Sequence, residues 1–222
     1  ERLVFDSSRS LLPYDYGYFA VIYDSLEITD PPASLEDLCK PEYRKSLILM
    51  DPRTSSPGLG FLLWTRAVYG ENYLSYWERL KPSILTITEG WDSGYGLFTS
   101  GEAPMVLSYT TSPAYHVEYE GSDRYRAAVF SEGHYVQIEG AGIVRNAPHK
   151  KEARAFIDFL LSPAAQEVLP LTNWMFPAVT GTPLPASFSA APVPDTQLLI
   201  DPAEAAGRLD SWLDAWVATM TE

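Results

Sequence analysis

The sequence predicts an α/β fold in which short buried strands alternate with helices. Three apolar runs have the length of strands, and they occupy Leu47–Met50, Ile84–Thr88 and Met105–Tyr109. Helical segments are predicted between the first two runs, and Gly, Pro, Ser and Asp cluster at the boundaries. Such alternation is typical of an α/β domain with a largely parallel sheet.

The elements before residue 90 follow from local signals. The apolar stretch YGYFAVIY at 16–23 predicts a buried strand, and a short helix is expected over 34–38, where Ser and Asp form a helix start. A hydroxyl-rich loop at 51–58 precedes a helix that should run to about residue 69, and a second helix is predicted over 73–80. The glycine-rich segment at 90–96 is either a loop or a helix start.

Beyond residue 125 the pattern changes to longer extended segments and then to helices. Extended chain is expected over 126–130 and 134–144, followed by a helix over 150–161 and another that restarts at Ser162–Pro163. The last helix begins with Asp201 as its cap, and Glu204 is predicted to complete a capping box. Its apolar stripe, predicted to be core, comprises Leu209, Trp212, Leu213, Trp216 and Val217.

Composition excludes several functional classes. The 222 residues include Lys+Arg 16 and Asp+Glu 29, and the resulting net charge of -13 disfavours a nucleic-acid partner. Cys39 is the one cysteine, so neither an internal disulfide nor a cysteine-based metal cluster can form. No metalloprotease, nucleophile-elbow, Walker or dinucleotide-binding motif occurs, and the three histidines lack metal-ligand spacing. An enzyme therefore has no positive support.

The segment SYTTSPAY at 108–115 is the strongest candidate for a binding site. It follows a predicted buried strand, and ligands of open α/β sheets bind where loops leave the carboxyl ends of strands. Tyr109 and Tyr115 flank the turn, while Trp91 and Trp174 lie in polar loops elsewhere. These rings suggest an aromatic pocket for a flat or cationic ligand. The alternative is that the same rings cap the core.

A second candidate is the hydroxyl-rich stretch before the helix that ends near residue 69. Thr54, Ser55 and Ser56 would place hydroxyls and free backbone N–H groups where they could hold an anion or a polar edge of a ligand. Plain N-capping by the same hydroxyls is the alternative.

Several strings, in order along nearly the whole chain, resemble the periplasmic thiamine-binding proteins. They are DYGYF (15–19), DPRTSSPGLG (51–60), YGLF (95–98), LSYTTSPAYH (107–116), FSEGHYVQ (130–137) and NWMFP (173–177). The helix ARAFIDFLLSP with Gln166 is similar to a late helix of many extracellular solute-binding proteins.

The resemblance implies a type II periplasmic-binding-protein clamshell, whose two α/β lobes close over one ligand. The expected ligand is thiamine with its mono- and diphosphate, the expected partner is an inner-membrane ABC permease, and the expected compartment is the periplasm. No cofactor or metal is implied. The positions that match the ligand-contacting residues of the family are Ser55, Trp91, Tyr109, Ser112, Tyr115 and Trp174.

One departure from the family concerns the first lobe, because its members carry a substantial N-terminal part that this sequence lacks. The resemblance implies a division of the chain into two lobes. Residues 1–20 and 132–222 form a C-terminal remnant of the first lobe with its crossover strands, and residues 21–131 form the second α/β lobe. A remnant without its partner strands exposes sheet edge. We therefore expect a dimer or association with a separate N-terminal fragment.

Three other functions remain open at this point. A polyamine receptor would also use aromatic rings, but carboxylates would dominate its pocket. A ferric-ion carrier would use paired tyrosines, whereas Tyr109 and Tyr115 are separated by six positions. A hydrolase acting on a thiamine-like substrate would need a nucleophile or general base that no motif supplies.

Overall fold

The computed structural model describes residue 3 and residues 8–221. In that part of the chain the strands are β1 (Leu11–Asp24), β2 (Leu47–Met50), β3 (Ile84–Thr88), β4 (Met105–Tyr109), β5 (Tyr125–Ala127), β6 (His134–Gly142), β7 (Phe176–Pro177) and β8 (Gln197–Leu198). The α-helices are α1 (Ser56–Tyr69), α2 (Tyr73–Leu80), α3 (Trp91–Thr99), α4 (Ser112–Glu120), α5 (Lys150–Leu160), α6 (Pro163–Thr172) and α7 (Pro202–Thr221).

The α/β class is confirmed, and most elements lie where the sequence predicts them. β2, β3, β4 and α2 have the predicted bounds, because short apolar runs and helix signals identify them locally. The segment at 90–96 is the start of helix α3, which settles the open choice between loop and helix. Helix α4 was not predicted, since only the turn before Tyr115 was recognised and the residues after it carry no continuous apolar stripe.

The sheet is mixed, so the prediction of a largely parallel sheet is wrong. Its strand order is β3-β2-β4-β1-β6-β8, with β5 and β7 also paired to β1. β2 runs parallel to β3 and β4, as predicted for the alternating segment. β1, however, is antiparallel to β4, β5, β6 and β7. The direction of β1 depends on pairing with distant residues, which local periodicity does not encode.

Strand β1 changes partners halfway along its length. Its first half, up to Tyr18, pairs with β6, whereas Phe19 and the following residues pair with β4. The carboxyl end of β4 therefore lies beside the point where β1 leaves one set of partners for the other. The division of the chain into lobes at residues 20 and 131 stays a prediction.

The main core lies between the β2–β4 region of the sheet and helices α1, α2 and α7. Trp77 of α2 meets Trp216 of α7 edge to face, with ring centroids 5.5 Å apart. Trp212 is also buried, and the guanidinium of Arg66 lies 5.0 Å from its ring centroid. The predicted apolar stripe of the last helix is thereby confirmed as core. Asp201 caps this helix through its side chain, which accepts a hydrogen bond from the Glu204 backbone N–H at 3.1 Å. The predicted capping box is not completed among the described residues, because the Glu204 carboxylate lies 3.8 Å from Arg66 and not on the Asp201 N–H.

His134 is a buried histidine whose two ring nitrogens are both used. Its Nε2 accepts a hydrogen bond from the Phe130 N–H at 2.7 Å, so its Nδ1 donates to the Phe19 carbonyl, also at 2.7 Å. Burial lowers the pKa of His134 to about 4, although the bond to the Phe19 carbonyl opposes this change. The imidazole is therefore a neutral cross-link between β1 and β6.

Gly60 allows α1 to pack against β1, and we predict that Gly60→Ala destabilises the fold. A Cβ atom at this position would lie 2.1 Å from Cε2 of Phe19, a residue that is itself buried. Overpacking of this kind costs about 1–3 kcal/mol. Gly207→Ala on α7 is the matched control, because its Cβ would meet nothing within 4 Å. Urea denaturation should show a lower free energy of unfolding for Gly60→Ala and one higher by about 0.5–1 kcal/mol for Gly207→Ala.

We also predict that His134 destabilises the folded state in acid. An unfolded histidine titrates near 6.5, whereas His134 in the folded chain titrates at about 4. Between these values the unfolded state binds more protons, so the free energy of unfolding falls as the pH is lowered from 6.5. The His134 contribution to that loss reaches about 3 kcal/mol near pH 4. NMR titration of the imidazole resonances measures the pKa directly, and a value near 6.5 would contradict the prediction.

Candidate functional site

A cavity of about 720 Å³ lies at the carboxyl end of β4, beside the point where β1 changes partners. The side chains around it come from α1, α3, α4, α6 and β6 and from the segment that follows α6. The residues used below are Trp91, Tyr95, Tyr109, Thr111, Ser112, Tyr115, His116, Glu139, Asn173 and Trp174. This is the location at which ligands bind in open α/β sheets.

One wall of the cavity is a stack of three rings. Trp91 begins α3, and its indole stacks on Tyr95 one turn later, with centroids 4.8 Å apart and an interplanar angle of 23°. Tyr95 in turn stacks on His116 of α4 at 5.9 Å, and its hydroxyl lies 2.9 Å from Nε2 of that histidine. The stack joins two helices, so Trp91 presents a fixed ring to the cavity.

A second group of rings consists of Tyr115 and Trp174, which meet edge to face at 5.1 Å. Tyr115 also meets His116 of the stack edge to face at 5.4 Å. Trp174 has a φ of 56°, in the left-handed region that residues other than glycine rarely adopt. A bulky residue in this conformation is strained by about 1–3 kcal/mol, and such strain concentrates at functional sites. The strained backbone turns the indole toward Tyr115 instead of continuing α6.

A network of hydroxyls holds the end of β4 in place. The Trp91 indole N–H donates to Ser108 Oγ at 2.8 Å, and Ser108 Oγ lies 2.7 Å from Ser112 Oγ. Ser112 also accepts from the Tyr109 backbone N–H at 3.3 Å. Thr111, which is buried beside them, has a hydroxyl with no partner among the described residues. The network fixes Trp91 relative to the turn that carries Tyr109.

Glu139 lines the cavity, and its strand neighbour Asp15 is buried and does not. Strand pairing places Asp15 of β1 directly opposite Glu139 of β6, next to an irregularity in the β1 register. Glu139 accepts hydrogen bonds from the Tyr14 hydroxyl at 2.8 Å and from the Gln137 amide at 3.0 Å. The Asn173 amide donates to Asp15 at 2.6 Å and reaches Glu139 at 3.4 Å.

The two carboxyls have no cationic partner among the described residues. Neither Asp15 nor Glu139 takes part in an ion pair there. Burial raises the pKa of Asp15 to about 7; the Asn173 hydrogen bond opposes this rise and the charge of Glu139 adds to it. Burial, together with the charge of Glu139, also raises the pKa of Tyr109, whose hydroxyl donates to Gln137 at 3.0 Å.

Five of the six predicted ligand-contacting residues line this one cavity, namely Trp91, Tyr109, Ser112, Tyr115 and Trp174. Ser55 does not; it precedes α1 and is buried, and its hydroxyl neither caps the helix nor has a partner among the described residues. Pro57, two residues later, does reach the cavity. That these residues contact a ligand stays a prediction.

The sequence interpretation missed the stacked Tyr95 and the carboxyl pair of Asp15 and Glu139. Tyr95 lies one helical turn after Trp91, so a prediction of helix at 91–99 would have placed it on the same face. No local signal connects Asp15 with Glu139, because only the register of two distant strands brings them together. In the part of the chain that the structure describes, no group of three or more His, Cys, Asp or Glu residues could hold a metal ion.

Comparison with known proteins finds relatives along most of the chain. The chain is 50% identical over 208 residues to the thiamine-binding periplasmic protein of Brucella abortus biovar 1 (strain 9-941), covering 93% of this chain and 62% of that protein. Identity to the thiamine-binding periplasmic protein of Escherichia coli (strain K12) is 45% over 210 residues, covering 95% and 64%. This chain thus spans less than two thirds of the length of both relatives.

A solved structure described as a periplasmic thiamin binding protein has a TM-score of 0.89 at 44% identity, covering 95% of this chain and 66% of the other. The predicted periplasmic-binding-protein fold is confirmed by this likeness. The model for the family described as bacterial extracellular solute-binding protein matches residues 3–199. The chain therefore belongs to the bacterial extracellular solute-binding proteins.

Proposed function

We propose that this chain acts as a periplasmic receptor that binds thiamine and its mono- and diphosphate. The observation that carries the proposal is the cavity at the end of β4, which combines aromatic rings with Glu139, a carboxyl group that takes part in no ion pair among the described residues. Proteins that share about half of its residues are named for thiamine binding and for the periplasm. No helix in the described residues is long and apolar enough to cross a membrane.

The chemistry of the cavity suits this ligand. Thiamine joins a permanently cationic thiazolium to a flat aminopyrimidine, and each aromatic face attracts such a cation by about 0.5–2 kcal/mol. Trp91, Tyr115 and Trp174 offer such faces on two sides of the cavity. Its volume of about 720 Å³ lies within the range of small-molecule sites, about 300–1,000 Å³.

The phosphate of a thiamine ester would need a different contact, because the charge of Glu139, which lines the cavity, repels anions. The Ser55 loop at the start of α1 is the proposed contact, as the sequence suggests. A helix N-terminus offers free N–H groups to an anion, and the Ser55 hydroxyl is not engaged in capping. Ligand binding by Ser55, Trp91, Tyr109, Ser112, Tyr115 and Trp174 is part of the proposal.

Delivery to an inner-membrane ABC permease is part of the proposal, and catalysis is not. The named relatives are binding proteins, and a receptor of this kind releases its ligand unchanged. A polyamine receptor is the second candidate, since the carboxyls Asp15 and Glu139 would also suit a flexible polycation. Dimerisation, association with an N-terminal fragment and the absence of a cofactor stay predictions.

Calorimetric titration of the chain with thiamine, thiamine phosphate and spermidine tests the proposal. We expect selective binding of thiamine and its phosphate at micromolar concentration or below. Preference for spermidine would favour the polyamine candidate. The thiamine proposal fails if titration with thiamine and its phosphate gives no binding heat, both with this chain and with a full-length version restored from its relatives.

Tyr115 gives the most direct mutational test, because 42% of its surface is exposed and its loss should leave the fold intact. Tyr115→Ala removes one aromatic face from the cavity. We predict a decrease in thiamine affinity of about fivefold or more, which corresponds to about 1 kcal/mol. Calorimetry on the variant and on the wild-type chain at equal pH and salt measures this difference.

Phe156→Ala is the matched control for that experiment. Phe156 is 60% exposed on α5 and does not line the cavity, so deletion of its ring should leave thiamine affinity within twofold. Equal losses in both variants would show that removal of any surface ring weakens binding. An unchanged affinity for Tyr115→Ala would exclude Tyr115 from the site.

A further inference from the structure

The pairing of Asp15 with Glu139 beside the cavity is an exception to a rule of strand pairing. Like charges directly opposite each other on antiparallel strands are destabilising, yet β1 and β6 pair Asp15 with Glu139. The register of β1 shifts between Pro13 and Asp15, and such irregularities re-aim side chains beside functional sites. Local violations of this kind mark positions where function outweighs stability.

Asp15 and Glu139 accept hydrogen bonds from uncharged side chains and form no ion pair among the described residues. Tyr14, Gln137 and Asn173 donate hydrogen bonds to the two carboxyls, and each donor is itself uncharged. Their positions are fixed in turn, because the Gln166 amide donates to the Tyr14 carbonyl at 2.8 Å. The hydrogen bonds orient both carboxyl groups without supplying a positive charge to either.

One carboxyl oxygen, Oδ1 of Asp15, has no hydrogen-bond partner among the described residues. Asp15 is fully buried, and its Oδ1 forms no hydrogen bond among the described residues, whereas its Oδ2 accepts from Asn173. Both Asn173 and Glu139 line the cavity, and no described lysine or arginine does. Burial without a cation favours the neutral form of Asp15, whose pKa is raised to about 7, and a cation in the cavity would favour the charged form.

We propose that Glu139, backed by Asp15 through Asn173, is the counter-charge that makes the cavity select cationic ligands over neutral ones of the same shape. This inference rests on the proposed function, because it assigns the source of charge selectivity at the same site. Ring faces bind flat molecules of either kind, whereas a fixed carboxylate distinguishes them. Asp15 has a pKa raised by burial to about 7, so its own charge adds to that of Glu139 in alkaline solution.

Two pairs of ligands, each consisting of a cation and a neutral molecule, test the inference at pH 7.5. Thiamine is compared with thiochrome, its neutral flat oxidation product, and N-methylquinolinium is compared with quinoline, which is neutral at this pH. For each pair the selectivity is the affinity for the cation divided by the affinity for the neutral molecule. We expect Glu139→Gln to lower selectivity at least tenfold through weaker cation binding, with thiochrome and quinoline affinities unchanged within twofold.

Glu118→Gln is the control, because Glu118 lies exposed on α4, does not line the cavity and loses the same charge. It should retain wild-type selectivity. If Glu139→Gln fails to fold, Asp15→Asn at pH 8 replaces it, and we expect a loss of cation affinity of at least threefold with neutral ligands unaffected. Circular dichroism of each variant verifies the fold before titration.

The outcomes separate this inference from the proposed function. Wild-type chain that rejects thiamine but prefers N-methylquinolinium over quinoline would support the counter-charge, and titration of the restored full-length chain would then decide the thiamine proposal. Thiamine binding with unchanged selectivity in Glu139→Gln would overturn the counter-charge alone. An equal loss of affinity for cationic and neutral ligands in Glu139→Gln would show that Glu139 has a structural role and would also overturn the counter-charge. Failure of the wild-type chain to prefer either cation over its neutral counterpart would overturn the counter-charge, whether or not thiamine binds.

Discussion

The shared strand β1 is the constraint on which the rest of the molecule depends. Its first half pairs with β6 and its second half with β4, so one continuous backbone fixes the relative position of both parts of the sheet. The cavity lies where that change of partner occurs, beside the carboxyl end of β4. His134 reinforces the junction, because its neutral ring links the Phe19 carbonyl of β1 to the start of β6.

The cavity combines two kinds of attraction that the fold supplies by different routes. The rings come from helix starts and a strained residue, Trp174, and they offer each cation about 0.5–2 kcal/mol per face. The charge comes from strand register, which sets Asp15 opposite Glu139 without a cation among the described residues. Rings alone would accept any flat molecule, and carboxyls alone would accept any cation. Together they define a site for a flat cation.

Sequence reasoning succeeded where the signals are local. Short apolar runs located β2, β3 and β4, and the cap and stripe of α7 were read correctly because they involve residues within one helix. It failed where contacts are distant: the antiparallel direction of β1 made the sheet mixed. Likewise the ring-bearing loops were recognised, whereas the Asp15–Glu139 pair depends on a register that no local pattern encodes.

The central claim is that a flat cation lies between the aromatic walls with its charge toward Glu139. A crystal structure of the chain with bound thiamine tests that claim most directly. The account predicts the ligand between Trp91 and the Tyr115–Trp174 wall, with its positively charged end nearer to Glu139 than to any other carboxylate. A ligand bound outside this cavity, or one whose cationic end points away from Glu139, would contradict it.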